Sequence, residues 1–401
     1  MPILLDRSEP FSSAEFATVD GDRVTEVARR HKQVIEFLEQ EGYDALLLQN
    51  PANMSWLTAG GDFEYGGSTG SSAALFVTTE ARVIVCNNID TPQILDFQAP
   101  HLGFQLKERN WTEPRAVLLS DLCRGRKVAS DVPFPSATDV GPRMLGMRLP
   151  LCPYDVQKLR TAGRLVAHAV EATLRALRAG RTESEIAGEI SHRMIKHQVT
   201  PQRIQIFADG RALRYRHWKH SEATVRSFCS VSAVGRYQGL NVGAVRTACL
   251  ETPSTELLAA FEKAAMVAAT GLFFSQRDWE LFEVWNRVKR IYEKTGVTDE
   301  WRIADQADVV EYEHGSISLM PSSEFRLSSG VPIFWHPLVG PVLSGDSVVV
   351  TGSGAEILTP ATDWPTVPIS VKGSSVPIPA ILVIEPEKAS SEGAKPSSNG
   401  R

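Results

Sequence analysis

A short acidic segment near residue 311 contains side chains that are well suited to moving protons. Glu311, Glu313 and His314 lie within the five-residue sequence EYEHG. Carboxylates and imidazoles are the usual acids and bases of enzymes, and an imidazole changes its charge near neutral pH. The same side chains could equally belong to a solvated loop, and the sequence leaves both interpretations open.

The stretch from Cys229 to Leu250 has the pattern of a β-hairpin that turns at a glycine. It contains no carboxylate, but Arg236 and Arg246 flank the turn. A guanidinium group can bind a carboxylate or a phosphate in a bidentate manner, so both arginines are candidates for holding an acidic group of a substrate. For Arg246, structural pairing within the hairpin is the alternative.

Two folded regions must position these residues. From Val24 to Leu38 apolar residues recur at helical spacing, and DALLLQ and AALFVTTEARVIVC are typical of buried strands. Helix and strand patterns continue to about Pro150, which predicts an α/β domain over residues 23–150. Residues 1–22 are polar, and we expect them to form a loose arm.

A second domain is predicted over residues 151–385. Helical spacing dominates its first part, where TESE supplies a capping box for the second helix. The apolar period then changes to two, two further helices follow, and strand patterns return in PIFWHP and SVVVTG. This order predicts an α+β domain. The Ser/Gly/Lys-rich residues 386–401 cannot bury enough surface to fold, and we expect a disordered tail.

The composition is that of a globular protein. Apolar residues make up 43% and charged residues 22% of the chain, and a net charge of -5 argues against nucleic acid as a partner. No apolar run approaches the roughly 18 residues that span a bilayer, so we expect no membrane partner and no signal peptide. The five cysteines are scattered without a CxxC pair, which favours reduced thiols and a cytoplasmic location.

Five segments, in a fixed order, resemble the pita-bread-fold family of aminopeptidase P, prolidase, methionine aminopeptidase and creatinase. EGYDALLLQNPANMSWLTAGGDF is similar to the creatinase-type amino-terminal domain. KLRTAGRLVAHAVEATLRALRAGRTESEIAGEI resembles the opening helices of the second domain, HWKHSEATVRSF and YQGLNVGAVRT its metal-binding strands, and GAEILTPATDWP its closing hairpin. The resemblance covers about residues 24–370. It implies a creatinase-type α/β domain followed by an α+β pita-bread domain.

The resemblance also implies a metal site, but this chain lacks most of the ligands. Family peptidases hold two divalent ions with two Asp, one His and two Glu, because such cations favour oxygen ligands. The positions that match two Asp and two Glu contain Ser232, Gly243, His336 and Gly345. The place of the ligand histidine falls near Ala307, and Asp346 faces the other side of its strand. We therefore expect neither a dinuclear metal site nor another cofactor.

Histidines remain at three positions that the resemblance makes interesting. His217 matches a catalytic histidine of the family, which in creatinase-like relatives moves the proton for C–N hydrolysis without a metal, and Glu311 or Glu313 would be its acid–base partner. A histidine packed at a strand edge is the alternative for His217. His314 matches a second, substrate-facing histidine. His336 could hold a single Zn²⁺ together with His314 or His217.

Three functional hypotheses follow. The first is a metal-free hydrolase of the aminopeptidase P or creatinase type, in which His217 moves the proton while a C–N bond of a small molecule or peptide is cleaved. The second is a pseudopeptidase that binds a ligand or acts as a scaffold without catalysis. The third is a hydrolase with one metal ion held by histidines. By analogy with the family we expect a homodimer.

Overall fold

The computed structural model describes residues 20–65 and 70–384. The predicted tail at residues 386–401 and residues 1–19 of the predicted arm lie outside the described residues. Helix α1 (Gly21–Glu41) includes the last two residues of that predicted arm. Asp20 is its N-cap, where the side chain accepts a hydrogen bond from the backbone N–H of Arg23.

The amino-terminal domain is built on one six-stranded mixed sheet. After α1 its elements are β1 (Ala45–Leu48), α2 (Pro51–Leu57), β2 (Ala73–Val77), β3 (Arg82–Asn87), α3 (Thr91–Gln93) with a π-helical turn (Ile94–Gln98), β4 (Gln105–Arg109), α4 (Arg115–Cys123), β5 (Val128–Ser130), β6 (Ala137–Asp139) and α5 (Gly141–Arg148). The strand order is β4-β3-β2-β1-β5-β6, with β1 antiparallel to β2 and parallel to β5.

The central strand β1 shows why this domain needs helices on both faces. All four of its residues are buried. Leu46 and Leu48 pack in the cluster that contains α1, whereas Ala45 and Leu47 pack in the cluster that contains α4. Successive side chains of a strand point to opposite faces, so a fully apolar strand must be covered twice.

The carboxy-terminal domain begins with two long helices and continues mainly as strands. Its elements are α6 (Pro153–Arg175), α7 (Glu183–Lys196), β7 (Thr200–Ala208), β8 (Phe228–Tyr237), β9 (Leu240–Cys249), α8 (Thr255–Phe274), α9 (Leu281–Lys294), β10 (Ala307–Val310), β11 (His314–Ser318), β12 (Pro332–Trp335), β13 (Leu338–Val339), β14 (Val342–Leu343), β15 (Ser347–Thr351), β16 (Gly354–Ile357), β17 (Thr366–Val371), β18 (Ser374–Pro379) and β19 (Leu382–Val383). The predicted capping box of α7 is confirmed: Thr182 and Glu185 bond to each other's backbone N–H groups.

Two sheets of this domain meet along β9. One has the order β19-β9-β8-β7 and the other β11-β10-β12-β15-β16. The N–H of Gly243 on β9 donates to the Ser347 hydroxyl of β15 over 2.9 Å, and that hydroxyl donates back to the Gly243 carbonyl over 2.8 Å. This contact holds the β8–β9 hairpin against the second sheet, at the place where the sequence predicts a site.

Helix α8 is the one described helix with the length and composition of a membrane span. In its most apolar window of 18 residues, 61% of the residues are buried inside the protein. Ala264, Ala268 and Leu272 are among the buried residues of the main core. The helix therefore packs as a central helix of its domain.

Candidate functional site

The β8–β9 hairpin presents Ser232 and Gly243 on one face, toward β12. Ser232 lies opposite Val245 and Gly243 opposite Val234, so the four residues share a side of the hairpin. The ring of Phe334 on β12 covers Gly243: a Cβ added to this glycine would lie 2.6 Å from Cε1 of the ring. A carboxylate side chain cannot occupy this position unless the ring moves.

Phe334 is part of a buried apolar cluster in front of the hairpin. Its fully or nearly fully buried members are Phe207, Ala212, Val234, Val245, Val310, Phe334, Leu338 and Leu343. On the same hairpin face, the Ser232 hydroxyl is buried and has no hydrogen-bond partner. Two divalent cations need anionic oxygen ligands that offset their mutual repulsion and the loss of water. The residues at these two positions do not fit a dinuclear metal centre.

Gly345 is also closed to a ligand side chain. A Cβ at this position would lie 2.0 Å from the Trp335 carbonyl oxygen. Its φ of +151° is a backbone conformation that L side chains rarely adopt. The adjacent Asp346 accepts a hydrogen bond from Nη1 of Arg246 over 2.8 Å, on the opposite side of β9 from Gly243. The carboxylate beside this position therefore serves an internal ion pair.

Arg246 is completely enclosed by groups that hold its charge. Nε donates to Glu171 over 2.8 Å, Nη1 to Asp346 over 2.8 Å, and Nη2 to the Thr359 carbonyl over 2.9 Å. The structure thus places Arg246 in a buried pairing that joins β9 to α6, to the residue just before β15 and to the segment after β16. It does not bring this guanidinium to a surface where a substrate could bind.

A cluster of two aspartates and one histidine lies beside the Phe334 ring, and we call Asp305, Asp308 and His336 the Asp–His cluster. Asp308 is opposite Phe334 in the β10–β12 pairing, and His336 follows two residues later, so these side chains share a face. Nε2 of His336 lies 3.1 Å from Oδ2 of Asp308 and 4.0 Å from Oδ2 of Asp305. All three side chains offer ligand atoms within 4.8 Å of one another. They could hold one metal ion.

The charge of Asp308 is set by its partners. Burial would raise its pKa, but the hydrogen bond and positive charge of His336 and the hydroxyl of Ser318 hold the pKa at about 2. The family resemblance assigns the position of the ligand histidine to the vicinity of Ala307, whose own side chain is buried. Asp305 and Asp308 flank that position and were missed. Their spacing in the sequence DQAD was the available signal.

The two other predicted histidines lie around this cluster. Nε2 of His217 is 3.8 Å from Oδ1 of Asp305, and 71% of its side chain is exposed. Burial and the nearby charge of Arg203 lower the pKa of His314 to about 4, so this imidazole is neutral at pH 7. The structure brings His217 and His336 to a shared aspartate. Among the described residues, neither His314 nor His217 joins His336 in a group that could hold a metal ion.

Glu311 lies in a buried ion pair and not beside His217. Its two carboxylate oxygens each lie 2.9 Å from Arg148 nitrogens, and Arg148 also donates to Glu313 over 3.0 Å and to Asn53. Burial raises the pKa of Glu311 although the charge of Arg148 opposes this effect. The pair ties the β10–β11 turn to the amino-terminal domain.

Comparisons with known proteins identify the fold of this chain. Residues 157–319 match the model of metallopeptidase family M24. The match lies in the carboxy-terminal domain, and the chain has the pita-bread fold of this family. The predicted combination of an α/β domain and an α+β pita-bread domain is confirmed. No curated protein is significantly similar to this chain in sequence.

Solved structures with the same fold include three peptidases. Xaa-Pro dipeptidase from Bacillus anthracis has a TM-score of 0.69 at 15% identity, over 89% of this chain and 100% of that chain. X-Pro aminopeptidase from Thermotoga maritima MSB8 has a TM-score of 0.70 at 16% identity, over 88% and 99%. The prolidase from Pyrococcus horikoshii OT3 has a TM-score of 0.68 at 16% identity, over 83% and 99%. At these identities the likeness concerns the fold.

A pocket of about 490 Å³ lies between the two domains, and we call it the interdomain pocket. Its lining comprises Gln49, Asn50, Pro51, Ala52, Glu64 and Val132 of the first domain and Gln202, Arg236, Asn241, Tyr312, Glu313 and His314 of the second. Arg236 crosses the boundary, because it donates to Glu64 and, over 3.2 Å, to Asp62. Three residues predicted from the sequence therefore meet here: Arg236, Glu313 and His314.

Asn241 gives the pocket an unpaired acceptor. The side chain is 2% exposed, its Nδ2 donates to the Glu311 carbonyl over 2.9 Å, and its Oδ1 has no partner. Because a carbonyl can only accept, this bond fixes which end of the amide is oxygen. Nδ1 of His314 is also buried without a partner. Two side chains that line the pocket thus contain polar atoms without hydrogen bonds.

Proposed function

We propose that this protein is a pseudopeptidase that binds a small amide or short peptide in the interdomain pocket. It does not use the metal pair of its family for hydrolysis. The observation that carries the proposal is the Phe334 ring over Gly243, at 2.6 Å from the position of a Cβ. The resemblance assigns a metallopeptidase carboxylate to this position, and the apolar packing there and the close approach at Gly345 support the proposal.

The unpaired atoms of the pocket indicate the ligand class. Oδ1 of Asn241 accepts hydrogen bonds only, and a buried polar atom without a partner costs about 1–3 kcal/mol. Neutral His314 can present Nδ1 as a second acceptor. A ligand with N–H groups, such as an amide or the amino end of a peptide, would satisfy these atoms after a small local adjustment. The charged rim of Glu64, Glu313 and Arg236 suits a polar ligand.

The proposal is tested with the dipeptide Ala-Pro as the ligand. Isothermal titration calorimetry should show saturable binding, while chromatography shows no release of proline, with or without added Mn²⁺, Co²⁺ or Zn²⁺. His314→Ala should weaken binding, and the matched control His220→Ala, which changes an exposed histidine outside the pocket lining, should leave it unchanged. Metal-dependent release of proline, or absence of binding to the wild type, would refute the proposal.

Metal-free hydrolysis is the second candidate, because Asp305 can support His217. The carboxylate lies 3.8 Å from the imidazole and could stabilise its protonated form during proton transfer. Glu311 is not available for this role, because Arg148 holds it. Product release that persists with a chelator and disappears in His217→Ala would favour hydrolysis over binding alone.

A single metal ion is a further alternative at the Asp–His cluster. One imidazole and two carboxylates with ligand atoms within 4.8 Å suit a divalent cation. Elemental analysis of the purified protein and of Asp308→Ala decides between the alternatives. A stoichiometric ion that is lost in the variant would support the metal site. A cytoplasmic location and a homodimer stay predictions, and light scattering tests the dimer.

A further inference from the structure

A second cavity, of about 560 Å³, lies between α8, α9 and the β17–β18 hairpin. We call it the basic groove. Its floor is apolar and includes Met266 and Phe274 of α8, Ile291 of α9 and Val371 of β17. A volume of several hundred cubic ångströms and an apolar lining are typical of small-molecule sites. The basic groove shares no lining residue with the interdomain pocket, and its role is independent of the proposed function.

Four cationic side chains surround this apolar floor. Arg287, Arg290 and Lys294 come from α9, and Lys372 comes from the hairpin turn. The three helical positions are spaced by three and four residues, so one face of α9 presents them together. Among the described lining residues there is no carboxylate, and none of the four cations forms an ion pair.

A lysine of α9 that lies outside the groove lining does have a counter-charge. Lys289, also on α9, pairs with Glu293 at 3.8 Å. The guanidinium of Arg287 is fixed over two rings, with its central carbon 5.5 Å from the Phe274 centroid and 5.6 Å from that of Trp279. In a chain with a net charge of -5, four cations without counter-charges create a local positive potential that attracts anions.

We propose that the basic groove binds a small amphiphilic anion, with an apolar body and a carboxylate, sulfate or phosphate head. The body would cover the apolar floor, and the head would lie among Arg290, Lys294 and Lys372. A membrane surface fits this geometry less well than a small molecule. The floor residues are recessed, and none of them is among the exposed large hydrophobic side chains of the described chain.

Decanoate, kept below its micelle concentration, is a suitable test ligand for calorimetry at low salt. We expect saturable binding of about one decanoate per chain, weakened by salt because exposed charges are screened. Decanol and decyltrimethylammonium, which share the apolar body without the negative charge, should bind at least roughly tenfold more weakly. Arg290→Glu combined with Lys294→Glu should also weaken decanoate binding roughly tenfold or more. Both residues are exposed, so the double variant should fold.

Lys289→Glu is the matched control, because it reverses a charge on the same helix outside the groove lining. It should bind decanoate like the wild type. Equal binding of decanol, unchanged binding in the double variant, an equal loss in the control, or no decanoate binding at all would overturn the proposal. The proposal would also be overturned if the wild type formed a dimer, the double variant did not, and decanoate gave no heat of binding. A second copy of the chain would then occupy the groove.

Discussion

Phe334 determines, at the scale of single residues, what the hairpin can do. Its ring is fully buried and lies over Gly243, in the space that a side chain at this position would need. We expect Phe334→Ala to lower the free energy of unfolding by about 3–5 kcal/mol, because it leaves a cavity in the apolar cluster. Urea denaturation measures this loss. Phe97→Ala, at a side chain that is 55% exposed, should change stability by less than about 1 kcal/mol. A similar small loss for both variants would show that the ring is not a packing residue.

The charge of Asp308 should make the stability of the protein depend on pH. Its pKa in the folded protein is about 2, below the roughly 3.9 of an unfolded chain. A lowered pKa stabilises the fold above the unfolded value, and this contribution is lost as the pH falls from about 4 to about 2. With a chelator present, the free energy of unfolding of the wild type should exceed that of Asp308→Asn by about 2 kcal/mol above pH 4. The difference should be smaller near pH 2. Urea denaturation at several pH values measures this difference in the free energy of unfolding. A difference that does not change with pH would contradict the lowered pKa of Asp308. Asp299→Asn, at an exposed position, is the control.

The family resemblance predicts which positions lack metal ligands, but it does not predict what surrounds them. The assignment of Ser232, Gly243 and Gly345 to ligand positions depends on strand patterns and the family resemblance, and it stays a prediction. That Phe334 fills the space depends on the tertiary register of β12 against β9, which no local pattern encodes. Asp308 was missed for a related reason, because the resemblance predicts a histidine near this position and only the folded sheet shows the aspartate beside His336.

At the scale of elements, α8 shows how packing overrides helix propensity. Gly271 lies inside this helix, and a Cβ there would lie 2.5 Å from the ring of Trp335. Alanine favours helix over glycine by about 1 kcal/mol, but overpacking a core typically costs about 1–3 kcal/mol. We therefore expect Gly271→Ala to destabilise the protein in thermal unfolding. Gly188→Ala on α7, where nothing lies within 4 Å, should raise stability by about 0.5–1 kcal/mol. The same sign for both variants would contradict this account.

The order of elements followed from the sequence more readily than their contacts did. The capping box of α7 and the period-two strands were predictable because they depend on neighbouring residues. The basic groove was not, because it forms only when α9 lies beside a hairpin about 80 residues later in the sequence. Charge on one face of a helix is usually solvated, and only the surrounding apolar floor distinguishes this face.

At the scale of the whole molecule, the two domains are joined by buried charges. Arg148, at the end of α5, connects Asn53 of the first domain to Glu311 and Glu313 of the second. A second buried arginine, Arg30, pairs with Asp155 at 2.7 Å and donates to Tyr312 over 2.9 Å. The interdomain pocket lies next to these links. Its shape therefore depends on domain docking, which explains why the sequence could suggest several of its residues but not the pocket.

Removing the charge of Arg148 tests this dependence. Arg148→Ala leaves the Glu311 carboxylate buried without its partner, and breaking such a pair typically costs about 3–5 kcal/mol. Burial already raises the pKa of Glu311, and the variant should raise it further because the opposing charge of Arg148 is gone. The loss should then be largest at pH 8 and smaller near pH 5, where the carboxylate can take up a proton in the folded state.

Urea denaturation at both pH values measures the loss, and titration with Ala-Pro shows whether the pocket is disturbed as well. Arg143→Ala is the matched control, since Arg143 is 51% exposed in its pair with Glu41 and its removal should change stability little at either pH. Equal losses for the two arginine variants would mean that the buried pair does not hold the domains together. If the loss of stability grew on acidification, the buried and unpaired Glu311 carboxylate would not be the cause of that loss.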